Sequence, residues 1–208
     1  MQRVGIADNK GLGYGLLFLL FCHALTPVAW AQSLDENKSV KVKAAYLYSF
    51  SKFVTWPETK FPEKTSPIRL GILSTDADQL KQLLDEVANT KGLIQNRQLE
   101  IIVVDYVPGS KRQDQIIDER QHFEASVRSC HMLFVDQSNK KMRMDIFQLI
   151  SDYKVLSVGG GDGFVRGGGM VALVRKGESI IFQVNVNSVN KEELIISPKL
   201  LRNAILIR

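Results

Sequence analysis

Four short apolar runs, separated by segments with helical periodicity, constrain the fold of this chain more than any other feature of its sequence. Continuous apolar and β-branched runs of four to six residues are typical of strands that are covered on both faces. Strands that alternate with helices imply right-handed crossovers between parallel strands. We therefore predict an α/β fold with a mostly parallel central sheet flanked by helices. The four runs are Ile68–Leu73, Leu99–Val104 (apolar without interruption from Ile101 to Val104), Met132–Val135 and Val155–Val158, and the interior polar residues among them are Arg69, Glu100 and Ser157.

An amphipathic helix is predicted before the first strand, over residues 41–54. Its apolar and aromatic side chains recur at three- and four-residue spacing, and we expect them to pack in the core. The helix should end before Trp56-Pro57, because the residue before a proline disfavours helical backbone. Residues 32–40 are polar, and we expect them to be frayed. Further helices are predicted after Ser74-Thr75-Asp76, which offers N-cap residues, and over 114–127 and 138–150.

A glycine-rich stretch follows the fourth apolar run, with seven glycines between Gly159 and Gly169. Such a cluster after a strand can cradle a phosphate. Here it lacks the Lys-Ser/Thr pair of a P-loop, and Asp162 would repel phosphate. An apolar run typical of a strand, rather than a helix, is expected next. The sequence therefore favours a structural turn or a partner-contact surface over nucleotide binding.

The period of the chain changes after the glycines. Met170–Val174 and Ser179–Val186 are separated by Lys176-Gly177-Glu178, which predicts an antiparallel hairpin. Ser197-Pro198 then favours the start of a closing helix, with Leu200, Leu201, Ala204 and Ile205 on one face. No repeat or low-complexity linker divides the chain, so we predict one α/β domain over residues 40–208.

The first 31 residues have the pattern of a cleaved signal peptide. A weakly basic start is followed by an apolar run, and Ala29-Trp30-Ala31 supplies small residues for cleavage. The alternative is a membrane anchor, for which the run is short and is interrupted by His23, Thr26 and Pro27. We expect cleavage after Ala31 and no direct membrane insertion afterwards.

Charge and cysteine content exclude several functions. The formal net charge is +5, but the basic residues are scattered and form no stripe with aromatic residues, so nucleic-acid binding is not predicted. Cys130 is the one cysteine that cleavage would leave, and we expect a buried, inert thiol. A metal site with His131 is disfavoured, since neighbouring residues of a strand point to opposite faces.

Three aspartates follow predicted strands: Asp105, Asp136 and Asp162. The carboxyl ends of parallel strands are where α/β folds place their sites, so these acids could hold Mg²⁺ or support acid–base chemistry. The simpler interpretation is that they cap helices or remain in solvent. Without a serine-nucleophile motif or a spaced His or Cys partner, we predict no catalytic, cofactor-binding or metal-binding residues.

Eight segments, in this order along the chain, resemble the YfiR family of periplasmic regulators (DUF4154). They are residues 43–57, 68–73, 130–135 and 155–158, Gly163-Phe164, Gly168-Gly169-Met170, Phe182–Asn185 and Ile196–Leu201. The resemblance implies a small α/β fold, export to the periplasm and a regulatory role without catalysis. It further implies binding to the periplasmic domain of an inner-membrane diguanylate cyclase, which is held inactive, so that cyclic di-GMP signalling falls and biofilm formation and motility change. A homodimer is a further implication.

Two departures from the family pattern limit what carries over. Some members have paired cysteines for redox control, whereas the cleaved chain would have Cys130 alone. The family also tends to have an acid shortly before its Gly-Phe pair, where this chain has Gly160, and Asp162 stands directly before Gly163. The alternative function that we keep open is a periplasmic solute-binding or sensor module.

The residues that we predict to contact a partner lie in or beside the glycine-rich stretch. Apolar residues beside a loop are frequent in binding surfaces. The alternative is that Phe164 and Met170 fill the core while the glycines let the chain turn. The partner-binding candidates are Phe164, Val165, Gly168, Gly169 and Met170.

Overall fold

A computed structural model of the chain describes residues 27–108, 114–136 and 140–208, and side chains from Lys38 onward except at 109–116 and 137–139. Ser39–Arg208 form one compact unit, whose fold is given below. Most of the predicted signal peptide, residues 1–26, lies outside the described residues, and its cleavage stays a prediction. No helix in the described part of the chain is long and apolar enough to cross a membrane.

Nine strands and seven helices make up the described chain, with a 3-10 turn at Glu58–Lys60. The strands are β1 (Val54–Thr55), β2 (Ile68–Leu73), β3 (Leu99–Val103), β4 (Met132–Val135), β5 (Leu156–Gly160), β6 (Val171–Lys176), β7 (Ser179–Asn185), β8 (Ile195–Ile196) and β9 (Ala204–Ile207). The helices are α1 (Pro27–Phe53), α2 (Ala77–Lys91), α3 (Asp114–Ser129), α4 (Lys140–Ile150), α5 (Gly163–Arg166), α6 (Val186–Lys191) and α7 (Pro198–Leu201).

Seven of the strands form the central sheet, in the order β3-β2-β4-β5-β6-β7-β9. The pairs from β3 to β6 are parallel, β6 and β7 are antiparallel, and β9 is parallel to β7. Gly177 has φ of +62° in the turn between β6 and β7, a backbone conformation that glycine adopts without strain. The predicted α/β class, with its mostly parallel sheet and antiparallel hairpin, is confirmed. β1 and β8 form a separate two-stranded sheet.

The ends of the chain differ from the prediction in two places. Helix α1 begins at Pro27, so the segment expected to be frayed is helical, and Val40 is already buried. The closing helix begins at Pro198, capped by Ser197 as predicted, but it ends at Leu201. Ala204 and Ile205, expected on the same helical face, instead belong to β9 and pair with β7. The backbone of these last residues pairs with the open edge of β7 instead of continuing the helix.

Side chains from both faces of the sheet are buried, because successive residues of a strand point in opposite directions. In β4, Met132 and Phe134 belong to the core on one face, while Leu133 and Val135 belong to the core on the other. The first core also holds α1 and α2, and the second holds α3 and α4. The continuous apolar runs of the sequence are thus explained by a sheet covered on both sides.

Helix α1 is held by aromatic packing. The ring centroids of Tyr46 and Phe50 lie 5.5 Å and 5.4 Å from that of Phe182 in β7, and the Tyr46 hydroxyl donates to the carbonyl of Ile180 at 2.8 Å. Leu47 and Phe50 have no exposed surface. The aromatic face predicted for this helix therefore belongs to the core.

The strand order creates a switch point between β2 and β4. After β2 the chain moves to one side to form β3, and it then returns to form β4 on the other side of β2. The helices that follow β2 and β4, α2 and α4, pack on opposite faces of the sheet. The loops after these two strands therefore diverge, and α/β folds commonly place their sites in the crevice that results.

Candidate functional site

A charged cluster occupies the switch point, at the carboxyl ends of β2 and β4. Asp76 lies three residues after β2, and Asp136 directly follows β4. Between them lies the amino group of Lys43, from helix α1, which is 2.6 Å from a carboxylate oxygen of Asp136 and 3.3 Å from one of Asp76. We call these three residues the switch-point cluster. It joins the first helix to two strands that are distant in sequence.

The switch-point cluster is partly buried. The side chains of Lys43 and Asp136 are only 18% and 15% exposed. Burial acts to lower the pKa of Lys43, but hydrogen bonds and charge from Asp136 and Asp76 outweigh it and raise that pKa above its ordinary value. A lysine held protonated in this way is neither a nucleophile nor a base at neutral pH. The switch-point cluster is therefore suited to positioning α1, and not to covalent chemistry.

The sequence did not predict this cluster. The sequence predicts Asp76 as an N-cap candidate, yet its carboxylate makes no capping hydrogen bond to α2 and pairs with Lys43 instead. For Asp136 the sequence predicts a strand-end acid that caps a helix or remains in solvent. The missing information was the strand order, since only the adjacency of β2 and β4 brings the two acids together.

The other two strand-end acids have separate surroundings. Asp162 accepts a hydrogen bond from the side-chain amide of Gln183 at 2.8 Å. Asp105 is exposed and lines a cavity of about 700 Å³ together with Asp118 and His122 of α3. Within the described residues, no three His, Cys, Asp or Glu side chains are grouped so that they could hold a metal ion. Asp105, Asp136 and Asp162 therefore do not meet in one group within the described residues.

The glycine-rich stretch encloses an aromatic ring. A Cβ atom on Gly159 would lie 2.2 Å from ring atoms of Phe164, and one on Gly169 would lie 2.3 Å from ring atoms of the same residue. Phe164 itself is 1% exposed, and its ring meets that of Phe147 edge-on at 5.3 Å between centroids. These two glycines are therefore required by the close approach of the ring, not by a phosphate.

A short helix lies within this stretch, which corrects the expectation that a strand would follow the glycines directly. Helix α5 spans Gly163–Arg166, and β6 begins only at Val171. The turn of helix carries Phe164 back onto the sheet, and Gly161 and Gly168 provide the positive φ angles on either side of it. Four residues of helix with glycine at both ends were too short for a periodic signal.

The predicted partner-contact residues divide into buried and exposed members. Phe164 and Val165 are each 1% exposed, and Met170 and Gly169 are also buried, whereas Gly168 is exposed. Gly168 and Met170 line a cavity of about 220 Å³ with residues of α4 and α6. The contact itself stays a prediction, and the side chains that this stretch exposes to a partner are those of Asp162 and Arg166, beside the mouth of that cavity.

Cys130 lies in the core beneath β2. Its Sγ atom is 3.3 Å from the carbonyl oxygen of Ser126, and it is completely buried. Burial raises the pKa of this thiol to about 12, so it stays protonated and unreactive at neutral pH. Neighbouring His131 faces the other core, against Trp56 and Phe61. The inert thiol and the opposite directions of these two side chains agree with the sequence analysis.

Together, the fold and this site define a class of protein: a small α/β domain whose switch point holds one lysine between two aspartates. Residues 40–205 match the YfiR/HmsC-like family (DUF4154), and the chain belongs to that family. The resemblance drawn from the sequence is confirmed. Members of this family are known as periplasmic regulators of cyclic di-GMP signalling rather than as enzymes.

Comparison with solved structures supports the fold alone. A crystal structure of a conserved domain protein from Vibrio cholerae aligns with a TM-score of 0.52 at 10% sequence identity. The alignment covers 79% of this chain and 60% of the Vibrio cholerae chain. No curated protein matches the sequence.

Proposed function

We propose that this protein is a non-enzymatic periplasmic repressor that binds the periplasmic domain of an inner-membrane diguanylate cyclase and holds the enzyme inactive. Release of the cyclase would raise cyclic di-GMP, and repression would lower biofilm formation. The observation that carries this proposal is membership of the YfiR/HmsC-like family over residues 40–205. The position of Lys43 between Asp136 and Asp76 agrees with it, because a lysine that two carboxylates hold protonated is not a nucleophile at neutral pH.

The surface that we propose for the partner is the rim of the cavity beside the glycine-rich stretch. Gly168 and Met170 line this cavity together with Phe147 of α4, Ser188 and Lys191. The Ser188 hydroxyl donates to the carbonyl of Gly168 at 3.3 Å, which fixes the loop against α6. A rigid concave rim with an apolar floor and a polar edge suits insertion of a partner side chain.

The decisive experiment combines partner capture with measurement of the second messenger. The protein is co-expressed with each candidate membrane cyclase, and co-purification and cellular cyclic di-GMP are measured. Lys191→Glu reverses a charge on the cavity rim and should weaken capture and raise cyclic di-GMP. Lys176→Glu makes the same charge change on the exposed hairpin and should have no effect. If deletion of the gene leaves cyclic di-GMP unchanged and no cyclase co-purifies, the proposal is wrong.

A second candidate function is a periplasmic solute-binding or sensor module. The cavity of about 700 Å³ beside Asp105, at the carboxyl end of β3, has a volume typical of small-molecule sites. A small solute that raises the melting temperature in the absence of any cyclase, and loses this effect in Asp105→Asn, would favour it.

A further inference from the structure

A further cavity lies at the opposite end of the sheet from the switch point, at the amino ends of β2 and β4. Its volume is about 190 Å³, and its lining includes Lys60, Arg69, Arg128 and His131. We call it the basic cavity. His131 directly precedes β4, Arg69 is the second residue of β2, and Arg128 is near the end of α3.

The imidazole of His131 is the buried member of this lining, with 3% of its surface exposed. Its ring stacks on Phe61 with centroids 4.4 Å apart and meets the Trp56 ring edge-on at 5.8 Å. The indole N–H of Trp56 donates to the His131 carbonyl at 2.8 Å. These contacts fix the position of the ring.

Hydrogen bonding also fixes which ring nitrogen carries the proton. Nδ1 of His131 accepts the backbone N–H of Arg69 at 3.0 Å, so in the neutral ring the proton is on Nε2. Nε2 is buried, and it has no hydrogen-bond partner among the described residues. A buried N–H donor without an acceptor is rare and costly, which indicates that an acceptor absent from the chain itself completes the site.

The charges around the ring select the kind of acceptor. Burial is the main cause that lowers the pKa of His131 to about 3, and the charges of Lys60, Arg69 and Arg97 lower it further. All three of these charged groups are cations. Glu100 pairs with Arg69 at 2.8 Å, and Glu124 lies 3.3 Å from Arg128. Neither acid is among the residues that line the basic cavity. Positive potential at an N–H donor favours an anion over a neutral acceptor.

Two cations at the cavity retain capacity for a ligand. The Lys60 amino group donates to the carbonyls of Arg128 and Tyr153, each at 2.7 Å, and has a third proton to offer. Arg69 uses its Nε atom on Glu100, which leaves its terminal nitrogens to reach an oxyanion. These walls are long side chains, so rotamer changes allow a ligand to approach the ring. A volume of about 190 Å³ exceeds that of one water, whose share of liquid volume is about 30 Å³.

We propose that the basic cavity binds a small oxyanion, a carboxylate or a phosphate group, through the Nε2 proton of His131 and the side chains of Lys60 and Arg69. This site is separate from the cavity beside the glycine-rich stretch, so the proposal does not depend on whether the proposed cyclase partner is correct.

The test observes the donor directly in the unaltered protein. Ring nitrogens of histidine are labelled with ¹⁵N, and inorganic phosphate and acetate are titrated separately at pH 7 against chloride of equal ionic strength. The Nε2–H signal of His131 should shift and saturate with at least one of the two anions, and the arm that saturates identifies the group. Arg69→Gln should weaken that binding roughly tenfold or more, since it removes a charge-assisted hydrogen bond. Lys176→Gln removes the same charge from the exposed hairpin and should leave the affinity unchanged.

Three results would overturn the proposal. One is a His131 signal that does not move with either anion, which would mean that water alone satisfies the donor. Another is binding that Arg69→Gln and Lys176→Gln weaken equally, which would indicate non-specific attraction to a basic protein. The third is saturable binding, seen by calorimetry, that leaves the His131 signal in place, because the site would then lie elsewhere. Arg69 and Glu100 are each about 40% exposed on a strand pair, so the Arg69 variant is expected to fold.

Discussion

Substitution of Gly159 by alanine should destabilise the protein through a single side chain, Phe164. The added Cβ would lie 2.2 Å from two ring atoms, where carbon atoms in contact are about 3.5–4.0 Å apart. The ring cannot retreat, because Gly169 approaches its other edge equally closely. Phe164 must therefore leave its position or force the strands apart, and overpacking of this kind costs about 1–3 kcal/mol. We expect a loss near the upper end, about 3 kcal/mol.

A double-mutant cycle isolates this clash. Phe164→Ala alone should cost about 3–5 kcal/mol, because the ring is almost completely buried. Once the ring is absent, the methyl group of Gly159→Ala lies in the vacated space. The double variant should therefore be no less stable than Phe164→Ala, so that the two changes are non-additive by about 3 kcal/mol. The free energies of unfolding are measured by urea denaturation, followed by far-ultraviolet circular dichroism.

Gly163→Ala is the matched control, since a Cβ there would meet no atom within 4 Å and the residue lies in helix α5. It should change stability by no more than about 1 kcal/mol. Additive losses in the double variant would refute the reasoning, as they would show that Gly159 is needed for its own backbone conformation and not for the ring. Equal losses for Gly159→Ala and Gly163→Ala would refute it as well.

Three further outcomes follow from buried polar contacts. The pKa of His131 is about 3 in the folded protein and about 6.5 in the unfolded chain, so the unfolded chain binds the proton first as pH falls. Stability is therefore full above pH 6.5, and the free energy of unfolding measured by urea denaturation should be about 2 kcal/mol lower at pH 5 than at pH 8. An unchanged midpoint would contradict this. Asp136→Asn should lower the free energy of unfolding by about 2 kcal/mol, because it weakens the bond to Lys43. Lys43→Met should cost less in the Asp136→Asn protein than in the unaltered one, and full additivity of the two losses in denaturation would count against the ion pair. Tyr46→Phe removes the hydroxyl bond to β7 and should lower the free energy of unfolding by about 1 kcal/mol, with no loss indicating that water replaces it.

Elements bounded by clear local signals could be predicted from the sequence. β2 and β4 have the predicted bounds, because each is a mainly apolar segment, with Arg69 as the one charged residue, and each is followed by a polar residue. The hairpin of β6 and β7 follows from alternation around Gly177. Burial of the aromatic face of α1 followed from helical periodicity alone. In each case the information lies within about ten residues of the element.

Features that depend on distant residues could not be predicted in this way. The spacing of Ala204 and Ile205 fits a helical face as well as a strand, and only the open edge of β7 decides between them. The pairing of Lys43 with Asp136 requires the strand order, which local patterns do not contain. The basic cavity was missed for the same reason, since β2 and β3 lie between Lys60 and His131 along the chain. The scattered basic residues of the sequence become a cluster only in the fold.

Helix α1 comes before the residues to which Lys43 and Tyr46 bond, and this order along the chain affects how the protein folds. Lys43 bonds to a residue 93 positions later, and the hydroxyl of Tyr46 to one 134 positions later. Closing such long loops is entropically costly, so contacts of this range slow folding. Until β7 is in place, Tyr46 and Phe50 of α1 lack the Phe182 ring that they contact. We therefore expect the helix to dock late and to be a preferred segment for chaperones during folding, with backbone amide exchange in α1 protected after that in β2 and β4.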